Sequence, residues 1–401
     1  MEILYISHCV PWPPDKGDRI RAFHTLSRLV EHHRVHLACL SRTGEEAAAQ
    51  SPLKARLASS HIEVLDIPQA VMRGFIGFAR GGSFTTAFHT SPALADYIRS
   101  LIASRPIEAA VILSSSMGGY APEQIPFLAD WGDVDSEKRL QYAKIRFPGF
   151  AQRLEGLRMR KDECEISLRA RRTFLTTPNE LQLFASIAPR ARAALSGNGV
   201  DTDYYDPRGG IEIPADLKAR KFLVFVGMMD YFPNVDGVRW FAETVFPVLR
   251  AREPDLRLYL VGRNPAREVI GLGRQDGIIV TGGVPDVRPY LAAARAVIAP
   301  LRIARGVQNK VLEALAMGKR VLASEAISRT FQPELPEGVM TCRTPDDYLK
   351  AFAALPTDSG FDMEVADAAR KRFSWTASLD PIVVALDEIA SDQKMGARQA
   401  V

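Results

Sequence analysis

Lys310 and Glu313 stand three residues apart in the run Arg305-Gly306-Val307-Gln308-Asn309-Lys310-Val311-Leu312-Glu313-Ala314-Leu315-Ala316-Met317-Gly318. On a helix that spacing places both on one face. Lys310 offers a point charge for phosphate, and Glu313 can accept from a pair of ribose hydroxyls. The basic turn ahead of them contains Gly306, which lets the backbone approach a ligand, while the helix N-terminus presents free N–H groups to an anion. Phosphate at the turn and a sugar one turn deeper describe a site for a nucleotide sugar. The plainer alternative is a strand-helix-strand unit whose Lys and Glu form a surface pair.

Such a turn needs a strand before it and a strand after it. An apolar segment at 296–301 precedes the turn, and Gly318 ends the helix before a second strand at 320–323. The same alternation runs through the chain. Strand-like segments are predicted at 3–7, 35–40, 63–67, 109–114, 127–130 and 173–177, then at 222–226, 256–261 and 278–281, with helical patterns such as 19–31 and 92–103 between them. Alternation at this spacing implies two doubly wound parallel sheets, each with an N-terminal or C-terminal half of the chain. Ligands in such sheets bind beyond the carboxyl ends of the strands, so two facing sheets would form a cleft. Pro207, Gly209, Gly210 and Pro214 mark a linker. The expected division is 1–205, a linker at 206–217, a ligand-binding domain at 218–368, and a final helix with tail at 369–401 that returns to the first domain.

With 401 residues, 47% hydrophobic and 24% charged, the chain has the composition of a soluble two-domain protein. The net charge of +4 gives no argument for nucleic acid. Cys9, Cys39, Cys164 and Cys342 are widely spaced and read as buried thiols of a reducing compartment. Glu2 in an apolar start argues against a signal peptide, and no apolar run reaches the ~20 residues of a membrane span. A cytoplasmic location is expected. All seven histidines fall at or before His89, so a histidine base would come from the N-terminal half.

The 302–324 segment resembles the donor-binding motif of GT-B glycosyltransferases, family 4 in particular. Ser196-Gly197-Asn198-Gly199-Val200-Asp201 resembles the Asn-Gly-Val-Asp element that closes the N-terminal domain there. Four further stretches, 10–21, 133–138, 227–234 and 288–291, together with 303–310, look like the sugar transferases associated with exosortase/PEP-CTERM systems. The resemblance implies an α/β GT-B fold of two facing Rossmann-like domains, with a last helix crossing back to the first. It implies retaining transfer of a sugar from a nucleotide-diphosphate donor to a glycan, in exopolysaccharide synthesis. Donor contacts are expected from Glu313, Lys310, Arg305, Gly306, Asn309, Gly227, Gly262 and Arg263, and across the cleft from Gly17 and Arg19. Catalytic candidates are Asp133 and Asp135, set near the acceptor, and Lys16, on the loop that faces the donor phosphates across the cleft. Asp133-Val134-Asp135 looks like the metal-binding Asp-X-Asp of GT-A enzymes, but no second carboxylate cluster supports it. No metal and no cofactor are therefore expected, with helix dipole and basic side chains serving the diphosphate.

Two departures from the family pattern bear on function. An Arg/Lys pair expected shortly after Gly227 is replaced by Met228, Met229 and Asn234, and the first acid, eight positions before Glu313, is Arg305. Arg305, with Arg302 or Arg263, would then supply the phosphate charge. These departures keep a non-catalytic scaffold of a polysaccharide assembly as the first alternative. A nucleotide-sugar 2-epimerase is the second, opposed by the lack of histidine in the donor half. Phe75, Phe78, Phe84 and Phe88 with Arg73 and Arg80, plus nine basic residues against four acids in 144–174, suggest peripheral contact with anionic lipid at the inner membrane face, where a polyprenyl-linked glycan acceptor would be met.

Overall fold

The computed structural model describes residues 1–15, 17–49, 51–143, 149–304, 306–357 and 360–399. The chain divides into two compact units, Met1–Gly197 with Leu379–Val401, and Asn198–Ser378. Each is built on a parallel sheet with helices.

The first unit has seven strands: β1 (Glu2–Ser7), β2 (Arg34–Ser41), β3 (Ser59–Val64), β4 (Ala109–Leu113), β5 (Phe127–Gly132), β6 (Arg172–Leu175) and β7 (Ala193–Leu195). They lie in the order β3-β2-β1-β4-β5-β6-β7, with Ile3 paired to Val35 on one side and to Ala109 on the other. The central strands are buried on both faces, which is why they read as continuous apolar runs. The second unit has β8 (Phe222–Val226), β9 (Arg257–Val261), β10 (Ile278–Gly282), β11 (Ala296–Ala299), β12 (Val321–Ser324) and β13 (Val339–Cys342), in the order β10-β9-β8-β11-β12-β13. Strand order reverses between β1 and β4 in one sheet and between β8 and β11 in the other. Crevices at the carboxyl ends of those pairs are where this architecture binds ligands.

Differences from the sequence expectation have local causes. The strand expected at 63–67 ends at Val64, because Asp66 caps a helix, Ile67–Ala79, by accepting from Gln69 N–H, with Pro68 in its first turn. β7 and β13 were not expected. They are only three and four residues long, too short to show a period. The division between units falls at Gly197, ahead of the expected 206–217 linker. Val200 N–H donates to Phe373 O at 2.7 Å, and a Cβ on Gly199 would lie 2.6 Å from the Trp375 ring. Arg370 also binds Asp203 and Asp206, each at 2.8 Å. These contacts fasten 198–206 to the second unit.

The final helix, Trp375–Gln399, starts in the second unit and enters the first at Leu379. There Asp380 pairs with Arg28 at 3.0 Å and Glu388 with Arg172 at 3.0 Å. Inside the first unit Arg21 is the central polar tie. Its Nη2 is 2.7 Å from Asp130 Oδ1, its Nε is 2.9 Å from Oδ2, and its Nη groups donate to the carbonyls of Ser196 and Gly197. The Asp130 side chain is fully buried. Removing one member of a buried pair leaves a desolvated charge, so Arg21→Ala should cost ~3–5 kcal/mol of stability. A loss below ~1 kcal/mol in urea denaturation would contradict this reading.

Candidate functional site

In the second unit, β8 and β9 end side by side on Gly227 and Gly262. A Cβ on Gly262 would lie 1.7 Å from the Gly227 carbonyl oxygen, so only glycine fits. Gly227 N–H donates to Val261 O at 3.1 Å, and Met229 N–H to Arg263 O at 2.9 Å, fixing the two turns to each other. The helix Phe232–Thr244 follows and carries Asn234 in its first turn. Gly237 brings this helix against the end of β11, since a Cβ there would lie 2.9 Å from Pro300 O. Beyond β11, Gly306 adopts a φ of +66°, a left-handed conformation that favours glycine, and the helix Asn309–Ala316 begins three residues later.

Lys310 lies where these elements meet. Its Nζ donates to Asn234 Oδ1 at 2.7 Å and stands 4.6 Å from the Phe225 ring centroid. Asn234 is oriented by donating Nδ2–H to Met228 O at 2.8 Å. A Cβ on Gly227 would lie 3.1 Å from the Lys310 amine. The amine is buried, and desolvation pulls it down to about 7, opposed by the charge of Glu313. Glu313, one turn on, is partly exposed. Burial of its carboxyl pushes it up to about 7, against the attraction of Lys310 and a hydrogen bond from Tyr205. A cation and an acid this perturbed, at the switch point of a parallel sheet, form a functional-site candidate. By contrast the buried Lys319 donates to the carbonyls of Ala294 and Gly360 and serves the fold.

The structure thus brings Lys310, Glu313, Gly227, Gly262, Gly306 and Asn309 to one end of the second sheet. Arg263 is exposed and borders the same turns, with its Cγ 3.0 Å from where a Gly283 Cβ would stand. Arg302 is bound through Nε to Asp236 Oδ2 at 2.8 Å, so its charge is already paired. Arg305 lies outside the described residues. Sequence reasoning missed Asn234 and Tyr205. Asn234 counted as the loss of a basic residue, yet it holds Lys310. Tyr205 is more than 100 positions from Glu313 in sequence, and no local pattern links them.

In the first unit the expected residues are more dispersed. Gly17 opens the helix Gly17–His32 with open space where a Cβ would be. Arg19 is buried and ion-paired with Asp15 at 3.2 Å and with Glu46. That local compensation argues against its expected role as a cation free for a donor. Lys16 lies outside the described residues. Asp133 accepts from Thr176 Oγ1 at 2.9 Å, and Asp135 from Ser115 Oγ at 3.2 Å. Burial raises the Asp135 carboxyl above its usual range. Neither aspartate caps the helix Asp135–Tyr142. Glu180 takes Val134 N–H at 2.7 Å and Glu163 takes Ser136 N–H at 2.9 Å instead.

Sequence reasoning also passed over His8, whose Nε2 is 3.4 Å from Asp18 Oδ2. The hydrogen bond from His8 holds Asp18 down at about 2. Among the described residues, the group with metal-ligand atoms close together is His8, Cys9 and Asp18, within 4.8 Å of one another, and Asp133 and Asp135 are not part of it. Burial pushes the Cys9 thiol up to about 12, so it stays protonated near neutrality.

The Lys310–Glu313 pair makes a definite pH signature. Glu313 is raised above its ordinary 4.5, so its stabilisation is full below that value and is lost as pH rises to about 7. Lys310 is lowered from 10.5, so its stabilisation is present above that value and is lost as pH falls to about 7. The pair therefore contributes least near pH 7. Lys310→Met, which replaces a desolvated amine by a thioether of similar length, should raise stability at pH 7 by ~1–2 kcal/mol and remove the rise between pH 7 and 10. Denaturation curves for the variant that parallel wild type across this range would refute the assignment.

Residues 220–358 match the family model described as Glycosyl transferases group 1. No curated protein matches the chain. Among solved structures, sucrose-phosphate synthase from Thermosynechococcus elongatus superposes with a TM-score of 0.66 at 16% identity, over 99% of this chain and 100% of that one. HepE from Anabaena in complex with UDP superposes with a TM-score of 0.64 at 12% identity, over 97% of this chain and 100% of that one. A UDP-forming α,α-trehalose-phosphate synthase from Burkholderia xenovorans gives a TM-score of 0.67 at 11% identity, over 97% and 99%. The chain has the GT-B fold of these glycosyltransferase structures, and its second unit, over residues 220–358, matches the group 1 glycosyl transferases.

Proposed function

We propose that the protein is a glycosyltransferase that takes a sugar from a nucleotide-diphosphate donor bound by its second unit. The observation that carries this reading is the buried Lys310 amine, held by Asn234 beside Glu313 behind the Gly306 turn. The diphosphate would lie against the Gly306 turn and the N-terminus of the 309–316 helix, with Lys310 charging on contact. The ribose hydroxyls would donate to Glu313. Support also comes from HepE, whose structures hold UDP and UDP-glucose at 12% identity. The acceptor in this proposal is a lipid-linked glycan of exopolysaccharide synthesis at the inner membrane face, transfer retains configuration, and the chain falls in the exosortase/PEP-CTERM-associated subgroup. Those finer parts rest on the sequence resemblance.

Glu313→Gln should weaken donor binding by about 10- to 150-fold, the worth of ~1.5–3 kcal/mol for bonds to a charged acceptor, and abolish transfer while the chain still folds cooperatively. Unchanged calorimetric affinity for UDP and GDP would demote Glu313 to a structural role. Binding of diphosphate should also restore the proton of Lys310. Above pH 7 affinity should fall as pH rises, with uptake of about one proton at pH 8, read from calorimetry in buffers of different ionisation enthalpy.

The same proposal needs no metal on the donor, since helix N–H groups and Lys310 supply the positive charge. Donor-sugar hydrolysis in EDTA should equal that with Mg²⁺ or Mn²⁺. Loss in EDTA restored by either ion would revive a metal role for Asp133 and Asp135, and restoration by Zn²⁺ alone would point to His8, Cys9 and Asp18.

A further inference from the structure

The helix Gly149–Arg169 mixes its faces. Its buried side carries Glu155, Gly156, Glu163 and Ser167 beside Met159, and its solvent side carries Phe150, Leu154, Leu157 and Leu168 among charged residues. The inward carboxylates have structural work. Glu155 accepts from Ser83 Oγ and from the N–H groups of Phe84 and Thr85 at 2.8–2.9 Å, capping the short helix Phe84–Phe88, and Glu163 caps 135–142. Ser167 accepts from the Trp131 indole at 2.9 Å. Nothing in that arrangement explains Phe150 at 76% exposure with Leu154 and Leu157 one and two turns on.

The neighbouring helix Ile67–Ala79 shows the same outward apolar face. Gly74 and Gly77 form its inner side, where Cβ atoms would lie 2.5 Å from Phe84 and 2.4 Å from Ala87. That close seat for 84–88 leaves Met72, Phe75 and Ile76 outside, with Phe75 65% exposed. Phe78, Phe84 and Phe88, expected to contact lipid, are half-buried instead, and of the four phenylalanines only Phe75 projects. Arg158 ties the two helices. It donates to Phe78 O and Gly82 O and stands 4.2 Å from the Phe78 ring centroid.

The outward charge on these segments is mainly basic. Residues 67–92 contain Arg73 and Arg80 and no acid, and the helix 149–169 contains Arg153, Arg158, Arg160, Lys161 and Arg169 against Glu155 and Glu163, which face inward, and Asp162 and Glu165. Arg80 and Arg153 are exposed. Lys144 and Arg146 lie outside the described residues. We infer that the outward faces of helices 67–79 and 149–169 form a docking surface for an anionic lipid leaflet, with Phe75, Phe150 and Leu157 entering the interface and the arginines meeting the headgroups. Exposed apolar side chains interleaved with an excess of basic ones fit that occupant, since each cation near an anionic surface adds to binding; the exposed Glu165 at the far end of the second helix is paired with Lys161 at 3.8 Å. This deepens the lipid-linked acceptor of the proposed function but is tested without any sugar.

The full chain should co-sediment with phosphatidylcholine vesicles containing about one-third phosphatidylglycerol and not with pure phosphatidylcholine, and high salt should release it. Arg80→Glu with Arg153→Glu should lower partitioning at least about fivefold for each residue. The triple variant Phe75→Ser, Phe150→Ser, Leu157→Ser should lose binding while keeping the wild-type melting temperature and hydrolysis of soluble donor. If the triple variant misfolds, the charge-reversal pair decides alone. No binding to the anionic vesicles, or equal binding by the variants, overturns the inference. So does a wild-type dimer in sedimentation velocity that the triple variant dissociates, which would assign the faces to a second copy of the chain.

Discussion

The site of the second unit depends on a desolvated amine that cannot leave. Lys310 is enclosed by the Phe225 ring, the Asn234 side chain and the bare backbone of Gly227. Burying an ammonium is costly, and without a carboxylate in direct contact its pKa falls toward neutrality. The fold tolerates this because Lys310 is on a helix whose other residues, Val311, Leu312, Ala314 and Leu315, are anchored in the core. Stability invested in apolar burial holds a group that by itself is unfavourable, a pattern expected where activity and stability compete.

From that constraint the surrounding geometry follows. A Cβ on Gly227 would crowd the Asn234 amide at 2.9 Å and the amine at 3.1 Å, and one on Gly262 would collide with the Gly227 carbonyl. Asn234 must present its oxygen, so its amide nitrogen is fixed on Met228 O. Glu313 is drawn into the same balance through charge, and Tyr205 through Glu313. An anion arriving at the Gly306 turn would relieve the cost by making the protonated amine favourable, so ligand affinity and local strain are coupled.

The first unit satisfies its polar groups differently. Its buried carboxylates are occupied by backbone and arginine: Asp130 by Arg21, Glu155 by the start of 84–88, Glu163 and Glu180 by the turn at 134–136. These bonds organise the loops after β1 and β5 and add to the local caps made by Asp66, Ser83, Ser91 and Thr177. Because the helix 149–169 gives part of its inward side to such carboxylates, Phe150, Leu154, Leu157 and Leu168 are left on the outside, while Met159 and Ile166 pack inward. The exposed face is thus a consequence of how that helix is anchored.

The sequence by itself determined the two sheets and most strand positions, and it singled out Gly306, Lys310 and Glu313, which the fold brings to one end of the second sheet. Central parallel strands are apolar runs bounded by turns, and a helical three-residue spacing is local, so both are legible from one stretch of chain. What only the tertiary structure decided was partnership across distance. Asn234 is 76 positions from Lys310 and looked like a missing basic residue until its oxygen met the amine. Arg19 looked available for a ligand until Asp15 and Glu46 enclosed it. The three- and four-residue strands β7 and β13, and the unit boundary at Gly197, arise from pairing and from contacts such as Val200 with Phe373. Residue type sets what a side chain can do, but which charges are paired and which are left for a ligand depends on neighbours that the fold supplies.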